Sequence, residues 1–268
     1  MARLKIVSFN IRNFGDEEKK ISNANLLIDM IKSEKIDLLG TQELTKIYEE
    51  MITKKMDSYK CYGKCRLGNG LFSKNKFNEN NVIITCKKVI LNKTIWLPWI
   101  ADNLKDLKES ILKRSIMPRI ATMIVVYDKD IGKIRMINTH LDHKIPSVKR
   151  RQLNKLRKLI FKFEKRYPVI LTGDFNMQDS NDDFKKFIMD LEKYNMKKVD
   201  IKENTWNGKN SGKIIDHIFI PKSWEILDSG VLDNMGISDH NPIFVDVLVP
   251  TRKSFKEKVN QLKKKLIK

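Results

Sequence analysis

The chain has 268 residues, of which 41% are hydrophobic and 32% are charged, a composition typical of a globular protein with a sizeable core. It contains no run of about 18 apolar residues and does not begin with a long apolar stretch, so we expect neither a membrane-spanning helix nor a secretory signal. A net charge of +20 indicates attraction to polyanions such as nucleic acid or anionic lipid, although a lysine-coated surface in solvent explains the charge equally well.

The hydrophobic pattern predicts strands and helices mixed along the whole chain. Residues 4–10 alternate apolar and polar side chains as in a strand, whereas Leu27, Met30 and Ile31 recur at helical spacing. The same criteria predict strands at residues 4–10, 36–43, 133–139, 169–172, 214–220 and 243–249, and helices at residues 22–34, 147–166 and about 184–191. Ser147 is predicted to be the N-cap of the second helix.

We expect one domain of the α/β or α+β class over residues 1–250, because neither a repeat nor a linker divides this part of the chain. The tail at residues 251–268 differs in composition. Its apolar side chains recur at helical spacing among many lysines, which predicts a basic amphipathic helix. Two roles stay open for this helix: contact with an anionic membrane or nucleic acid, or docking on the domain through its apolar stripe.

Polar residues stand at the ends of the predicted strands, where proteins built on sheets usually place their sites. All four histidines of the chain lie in these segments, which random placement would not produce. The six places are Asn10, Glu43, residues 138–143 (Asn-Thr-His-Leu-Asp-His), 173–176 (Gly-Asp-Phe-Asn), 216–217 (Asp-His) and 238–242 (Ser-Asp-His-Asn-Pro).

The residue types at these places limit the chemistry. Hard oxygen ligands, which suit Mg²⁺ or Mn²⁺ better than zinc, are offered by Asn10, Glu43, Asp174, Asn176 and Asp239. The histidines can donate hydrogen bonds to phosphoryl oxygens or act as acid or base. The sequence shows neither a serine or cysteine nucleophile in a recognisable turn nor a glycine-rich phosphate loop. Attack of water on phosphorus, assisted by a metal, is therefore the predicted chemistry.

In their order along the chain, the motifs resemble those of the endonuclease/exonuclease/phosphatase superfamily. The matching segments are Ser-Phe-Asn-Ile-Arg at 8–12, Gln-Glu at 42–43, Asn-Thr-His-Leu-Asp-His at 138–143, Gly-Asp-Phe-Asn at 173–176, Ile-Asp-His-Ile at 215–218 and Ser-Asp-His at 238–240. Each motif is weak alone, but six in the right order over residues 1–249 are specific. The resemblance implies a four-layered sandwich, in which helices flank two mixed β-sheets, and hydrolysis of phosphate esters.

The resemblance also implies a metal site. Glu43 would be the principal metal carboxylate, and Asn10 and Asp239 would complete or support the ligand shell. The expected cofactor is Mg²⁺, with Mn²⁺ as an alternative.

The remaining motif residues would carry the catalytic roles that the resemblance implies. Asp174 would position or deprotonate the attacking water, and Asn176 would orient the phosphate. His240, paired with Asp216, would contact the scissile phosphate or serve as the base, so the identity of the base stays open between this pair and Asp174. His140 would face the phosphate from the other side and assist the leaving oxygen.

Further residues are candidates for substrate contact. Arg119 matches an arginine of bacterial members that carry the Asn-Thr-His-Leu-Asp-His motif, where it would bind phosphate or form a structural ion pair. Asp142 and His143, the second half of that motif, would support His140 or line the site. Where relatives carry an acidic Gly-Glu-Gly-like segment, residues 67–70 hold asparagine instead. His217 is expected to pack within its strand rather than to line the site.

Three functions are compatible with these motifs. A nuclease acting on DNA or RNA is favoured by the positive charge, because lysine-rich surfaces bind the nucleic-acid backbone. A phosphatase or phosphodiesterase for a small molecule or phospholipid head group is the alternative. Residues 93–116 would then form a lid or an interface-binding helix, although a core-packed helix explains this segment equally well. An inactive binding module is the least favoured, because the ligand set is intact. We expect no obligate protein partner.

The aromatic and cysteine residues constrain the function less than the motifs do. The tryptophans could stack on bases, although burial is their usual role; they are Trp96, Trp99, Trp206 and Trp224. An odd number of cysteines in a long chain argues against a disulfide framework, so we expect a reduced, cytoplasmic protein.

Overall fold

The computed structural model describes residues 1–66, 79–99, 108, 118–164, 166–208 and 211–251. Three predicted segments lie wholly or mostly outside these residues: the helix beyond residue 251, residues 67–70 and residues 93–116. What the sequence predicts there stays a prediction, except that residues 93–97 belong to a strand, so the lid or helix expected at 93–116 does not begin at residue 93. None of the helices in the described part of the chain is long and apolar enough to cross a membrane.

The central strands are buried along most of their length, whereas the helices bury one side only, as expected for sheets covered by helices. In chain order the elements are β1 (Ala2–Asn10), α1 (Glu17–Ser33), β2 (Leu38–Leu44), α2 (Lys46–Lys55), β3 (Lys60–Cys65), β4 (Asn80–Thr85), β5 (Lys88–Leu97), β6 (Arg119–Asp128), β7 (Gly132–His140), α3 (Pro146–Glu164), β8 (Val169–Asp174), α4 (Asp182–Lys193), β9 (Met196–Lys198), β10 (Trp206–Gly208), β11 (Ser211–Lys213), β12 (Asp216–Pro221), β13 (Glu225–Val231) and β14 (Ile243–Val249).

Most strands belong to one of two mixed sheets. The first sheet has the strand order β13-β14-β1-β2-β4-β3, the second has the order β5-β6-β7-β8-β12-β9, and β10 pairs with β11 in a separate hairpin. Each sheet contains one parallel pair among the described strands, β1 with β2 and β7 with β8. Helices α1 and α3 are the crossovers that parallel pairs require. The carboxyl ends of each parallel pair therefore lie at the same edge of their sheet.

Three apolar clusters separate the layers of the molecule. One cluster lies between the two sheets and includes Ile6 and Met136. A second packs α1 and α2 on the outer face of the first sheet, around Leu27, and a third packs α3 and α4 on the second sheet, around Leu156 and Phe184. The order helices, sheet, sheet, helices confirms the predicted four-layered α/β sandwich.

Two predicted helix starts differ from the structure. Helix α1 begins at Glu17, because the side chain of Asp16 accepts a hydrogen bond from the backbone N–H of Lys19 at 2.8 Å and caps the helix. Its first turn is polar, so the apolar spacing does not reveal it. Helix α3 begins at Pro146, and the prediction that Ser147 caps it is wrong. Proline is favoured at the first helical position, where no partner is needed for an N–H group.

A buried polar contact joins the two sheets below the rim where the parallel strands end. Gln42 Nε2 donates a hydrogen bond to Asn138 Oδ1 at 2.7 Å, and Thr172 Oγ1 donates to the same oxygen at 3.1 Å. Gly40 leaves room for this contact, since a Cβ atom there would lie 2.4 Å from Thr172 Oγ1 and 2.7 Å from Asn138 Oδ1. Any side chain at position 40 would have to displace the hydrogen-bonded groups.

Replacing Gly40 by alanine is expected to lower the free energy of unfolding by about 1–3 kcal/mol, because the new methyl group overpacks the interior and disturbs the polar contact. Urea unfolding measures this loss. Gly230→Ala is the matched control, because a Cβ atom there would be no closer than 3.4 Å to its neighbours. If Gly40→Ala proved as stable as the control, the two sheets would not be held by this close approach.

Candidate active site

Four of the predicted site residues lie at one rim of the sandwich because of the strand directions. Asn10 and Glu43 lie at the carboxyl ends of β1 and β2, and His140 and Asp174 lie at the carboxyl ends of β7 and β8. Strand β12 is antiparallel to β8 and places Asp216 directly opposite Asp174. The segment that enters β14, which is antiparallel to β1, carries the remaining predicted motif to the same rim.

A cavity of about 670 Å³ opens at this rim. Ten of the eleven predicted site residues line it: Asn10, Glu43, Arg119, His140, Asp142, His143, Asp174, Asn176, Asp239 and His240. The eleventh, Asp216, is buried behind His240. The structure therefore brings the predicted set together, while the individual roles stay predictions.

Asp174 lies at the centre of the cluster. Its Oδ2 atom accepts a hydrogen bond from Asn10 Nδ2 at 3.0 Å, and its Oδ1 atom accepts one from the backbone N–H of Asn176 at 2.8 Å. His140 Nε2 and His240 Nε2 lie 3.6 and 3.9 Å from Oδ2. Burial and the nearby charge of Asp216 raise the pKa of Asp174 to about 7. The carboxyl group can thus exchange a proton near neutral pH.

His240 and Asp216 form a hydrogen-bonded pair. His240 Nδ1 donates to Asp216 Oδ2 at 2.8 Å, and Thr205 Oγ1 donates to the same carboxylate oxygen at 2.7 Å. This bond leaves His240 Nε2 on the side of Asp174. Burial lowers the pKa of His240, but the charge of Asp216 and the hydrogen bond outweigh burial and raise the pKa to about 9. His240 is therefore protonated at neutral pH and presents an N–H donor.

Glu43 and Asn10 lie on neighbouring strand ends, where Glu43 offers carboxylate oxygens and Asn10 Oδ1 accepts a hydrogen bond from the backbone N–H of Arg12 at 3.0 Å. The backbone of Glu43 has φ +58°, a conformation that costs energy for a non-glycine residue and is often found at functional sites. Glu43 Oε2 accepts from the backbone N–H of Asn13 at 3.0 Å, and Asn10 Nδ2 lies 3.5 Å from Glu43 Oε1. Asp239 Oδ2 lies 3.1 Å from Arg12 Nη1. The carboxylate oxygens of Glu43 and Asp239 fit a hard cation such as Mg²⁺.

A second group of possible ligands lies deeper in the site. Within the described residues, ligand atoms of Asp174, Asp216 and His240 lie within 4.8 Å of one another. Asp216 Oδ2, however, already accepts two hydrogen bonds, from His240 and Thr205. A cation there would have to break the pair that orients His240, so we favour the oxygen donors around Glu43 for a metal.

One wall of the cavity is cationic. Arg119 is 6% exposed, and no carboxylate of the described residues lies within ion-pair distance of it. Its Nη2 atom donates to His143 Nδ1 at 3.3 Å, so that His143 nitrogen carries no proton. Burial and the charge of Arg119 lower the pKa of His143 to about 4 and that of His140 well below its usual value. A buried cation of this kind is stabilised when an anion binds beside it.

Six described residues outside the predicted set also line the cavity: Arg12, Arg66, Glu79, Trp206, Lys213 and Ile215. Arg66 and Glu79 form an ion pair of 2.9 Å, and burial and the charge of Glu43 raise the pKa of Glu79 to about 7. The sequence presents Trp206 only as one of several tryptophans. Its Nε1 atom donates to Asp239 Oδ2 at 3.2 Å, and Lys213 Nζ lies 5.6 Å from its ring centre.

His217 packs in the core, as predicted, and does not line the cavity. Its Nε2 atom donates to the backbone carbonyl of Met177 at 2.8 Å, and its ring packs edge-on against Phe175 and beside Phe184. Burial lowers the pKa of His217 to about 4, which keeps the ring neutral.

Among the tryptophans, Trp224 is buried whereas Trp96 is 50% exposed.

Comparison with known proteins gives one family. The sequence model described as "Endonuclease/Exonuclease/phosphatase family" matches residues 7–240. No curated protein matches the chain in sequence. Several solved structures are similar to this chain, at sequence identities that support a common fold and nothing beyond it.

The first of these structures is an endonuclease/exonuclease/phosphatase family protein from Bacteroides thetaiotaomicron, with 21% identity, coverage of 92% of this chain and 98% of the other, and a TM-score of 0.72. A mannosyl-6-phosphatase of the same organism has 20% identity, coverage of 91% and 99%, and a TM-score of 0.72. TDP2 of D. rerio, in complex with a single-strand DNA product, has 17% identity, coverage of 93% and 100%, and a TM-score of 0.68.

The buried neutral state of His217 predicts a pH-dependent contribution to stability. A histidine of the unfolded chain titrates near 6.5, so between pH 6.5 and about 4 the unfolded state binds more protons than the folded state. The contribution of His217 is thus complete above pH 6.5 and is lost as pH falls through 4.

In His217→Gln the amide can still donate to the Met177 carbonyl but does not titrate. The free energy of unfolding of the wild type, minus that of this variant, is expected to fall by about 3 kcal/mol from pH 7.5 to pH 4, because only the wild type loses the contribution of a neutral His217. Urea unfolding at both pH values measures it. A difference that stays constant with pH would show that His217 is not held neutral.

Proposed function

Because the chain belongs to the endonuclease/exonuclease/phosphatase family, we propose that it is a metal-dependent phosphoesterase that cleaves phosphodiester bonds of DNA or RNA by attack of water on phosphorus. The observation that carries this proposal is the position of Asp174. This carboxyl group is hydrogen-bonded to Asn10 of the opposite sheet and faces the His240–Asp216 pair of the same rim. Such a site offers a proton acceptor beside a cationic donor.

Asp174 would position the attacking water and accept its proton. A pKa raised to about 7 matches the operating pH of a general base better than that of an ordinary aspartate. The hydrogen bonds from Asn10 and from the backbone of Asn176 fix the orientation of the carboxyl group. His240 is a poorer candidate for the base, because its raised pKa keeps it protonated.

The cationic groups would bind the phosphate and offset the negative charge that grows on it. His240 Nε2–H would donate to a phosphoryl oxygen from one side, held in place by Asp216. Arg119 would contact the phosphate from the other side, since its charge is buried without a carboxylate partner among the described residues. Asn176 would orient the phosphate, and His140 would assist the leaving oxygen.

Mg²⁺, or Mn²⁺ in its place, would be held by Glu43, with Asn10 and Asp239 completing or supporting the set. When bound, this ion would neutralise negative charge on the phosphate and on the leaving oxygen. Asp142 and His143 would have supporting roles beside Arg119, because His143 accepts the hydrogen bond of Arg119.

A nucleic-acid substrate is favoured by the groups at the mouth of the cavity. Arg12 is half exposed, Lys213 lies over the ring of Trp206, and the three residues line the cavity together. Basic side chains can contact backbone phosphates, and an aromatic ring can stack on a base. The net charge of +20 adds long-range attraction.

A small phosphate ester is the second candidate. The cavity volume of about 670 Å³ lies within the range of about 300–1,000 Å³ typical of small-molecule sites. One of the structurally similar proteins is a mannosyl-6-phosphatase, which extends the candidates to sugar phosphates.

Purified protein with Mg²⁺ is expected to cleave single- or double-stranded DNA or RNA in a panel that also holds a generic phosphodiester and sugar and inositol phosphates. EDTA should abolish the reaction. Glu43→Gln and Asp174→Asn should lower kcat by roughly 10²–10⁴-fold, because they remove the principal metal carboxylate and the proton acceptor.

Glu192→Gln, an exposed carboxylate on α4, is the matched control and should leave kcat unchanged. Circular dichroism should show that all variants stay folded. If the protein hydrolyses only a small phosphate ester, that ester and not nucleic acid is its substrate class. Unchanged turnover in Asp174→Asn would contradict the assigned site itself.

A further inference from the structure

A second basic depression lies outside the active site, between strand β5 and helix α3. We use the name β5–α3 groove for the surface formed by Lys93 and Trp96 of β5 and Lys155 and Lys158 of α3. The depression has a volume of about 430 Å³, and Leu159 contributes an apolar floor. None of the described residues that line it is acidic.

Three lysines of this groove carry charge that no described carboxylate neutralises. Lys93, Lys155 and Lys158 are exposed, and the described residues provide no carboxylate within ion-pair distance of them. Other lysines of the same molecule do have such partners; Lys198, for example, pairs with Asp179 at 2.6 Å. A concentration of unpaired cations raises the local potential and favours an anionic partner.

Trp96 adds a flat apolar surface to this charge. It is 50% exposed although it lies within a strand, because β5 is the edge strand of its sheet and because Trp96 points to the face opposite to Ile95 and Leu97, which pack against α3. Trp96 therefore borders the groove at the open edge of the sheet. Aromatic side chains that stand beside basic residues are typical of surfaces that bind single-stranded nucleic acid, where bases stack and phosphates meet the cations. A bare phosphate or a lipid head group would use the lysines but not the ring.

The groove begins next to the catalytic rim. Trp96 pairs with Ile120 in the sheet, and its neighbour Leu97 pairs with Arg119, whose side chain lines the active site. Lys93 lies three residues further from the rim, about 10 Å along the strand at about 3.3 Å per residue. The buried Gln152 ties the two sides together, because its Nε2 donates to the carbonyl of Pro98 at 2.8 Å and its Oε1 accepts from the N–H of Asp142.

From this geometry we propose that the β5–α3 groove binds the single-stranded part of a nucleic-acid substrate that extends from the active site. A base stacks on Trp96 at the open edge of the sheet, and the nucleic-acid strand then passes around this edge to the α3 side, where its phosphates contact Lys93, Lys155 and Lys158. The two helix lysines are three residues apart and face the same side of α3, so they can meet neighbouring phosphates. This inference rests on the proposed action on nucleic acid, but its binding step does not require turnover.

The test measures binding of a fluorescent oligothymidylate of about twenty nucleotides in EDTA, where no cleavage takes place. Lys155→Gln/Lys158→Gln should weaken binding roughly tenfold and lower the slope of log Kd against log salt by about 1.4, near 0.7 for each phosphate that the variant no longer neutralises. Trp96→Ala should weaken binding by roughly fivefold or more without changing that slope. The control Lys32→Gln/Lys54→Gln removes the same charge from exposed positions on α1 and α2 and should change neither quantity.

Activity distinguishes this inference from the proposed function. For the groove variants, KM for a long oligonucleotide should rise while kcat and the KM for a generic small phosphodiester stay as in the wild type. An equal decrease in affinity in the groove and control variants would overturn the proposed binding role of the groove, whether or not the protein is a phosphoesterase. Groove-dependent binding to anionic phosphatidylserine vesicles but not to the oligonucleotide would also overturn it, in favour of a membrane surface.

Discussion

The hydrogen bond between Gln42 and Asn138 crosses the interior between two sheets, and the positions of the site residues depend on it. Gln42 directly precedes Glu43, and Asn138 lies two residues before His140, so a displacement of either sheet would move both sides of the cavity. Burial makes this bond costly to break, because neither amide can turn to water. A second hydrogen bond between the two sheets, from Asn10 to Asp174, lies at the rim itself.

Opposite charges lie around the same cavity, and two of them, Glu43 and Arg119, have no oppositely charged partner within ion-pair distance among the described residues. Burial raises the pKa values of Asp174 and Glu79 and lowers those of His140 and His143. Each shift reflects desolvation that the surrounding protein does not fully offset. On the proposed function, a metal ion beside Glu43 and a phosphate beside Arg119 would supply the missing charges. The site is thus built to be stabilised by its ligands.

Strand directions explain how much of the site the sequence could reveal. Apolar strands that end in polar residues are visible in a sequence, and parallel pairs bring such ends to one edge, so ten of the eleven predicted residues line the cavity. Arg66 and Glu79 were missed because they meet only through the antiparallel pairing of β3 with β4. The exposure of Trp96 was equally hidden, since a hydrophobic pattern does not show which strand lies at the edge of a sheet.

On the proposed function, the carboxylates around Glu43 hold the metal and Asp216 orients His240. Titration of Mn²⁺, followed by calorimetry, tests this assignment most directly when wild type, Glu43→Gln and Asp216→Asn are compared. Glu43→Gln is expected to weaken Mn²⁺ binding by roughly tenfold or more, whereas Asp216→Asn is expected to leave it nearly unchanged. Loss of binding in Asp216→Asn with retention in Glu43→Gln would contradict it and would place the metal among Asp174, Asp216 and His240.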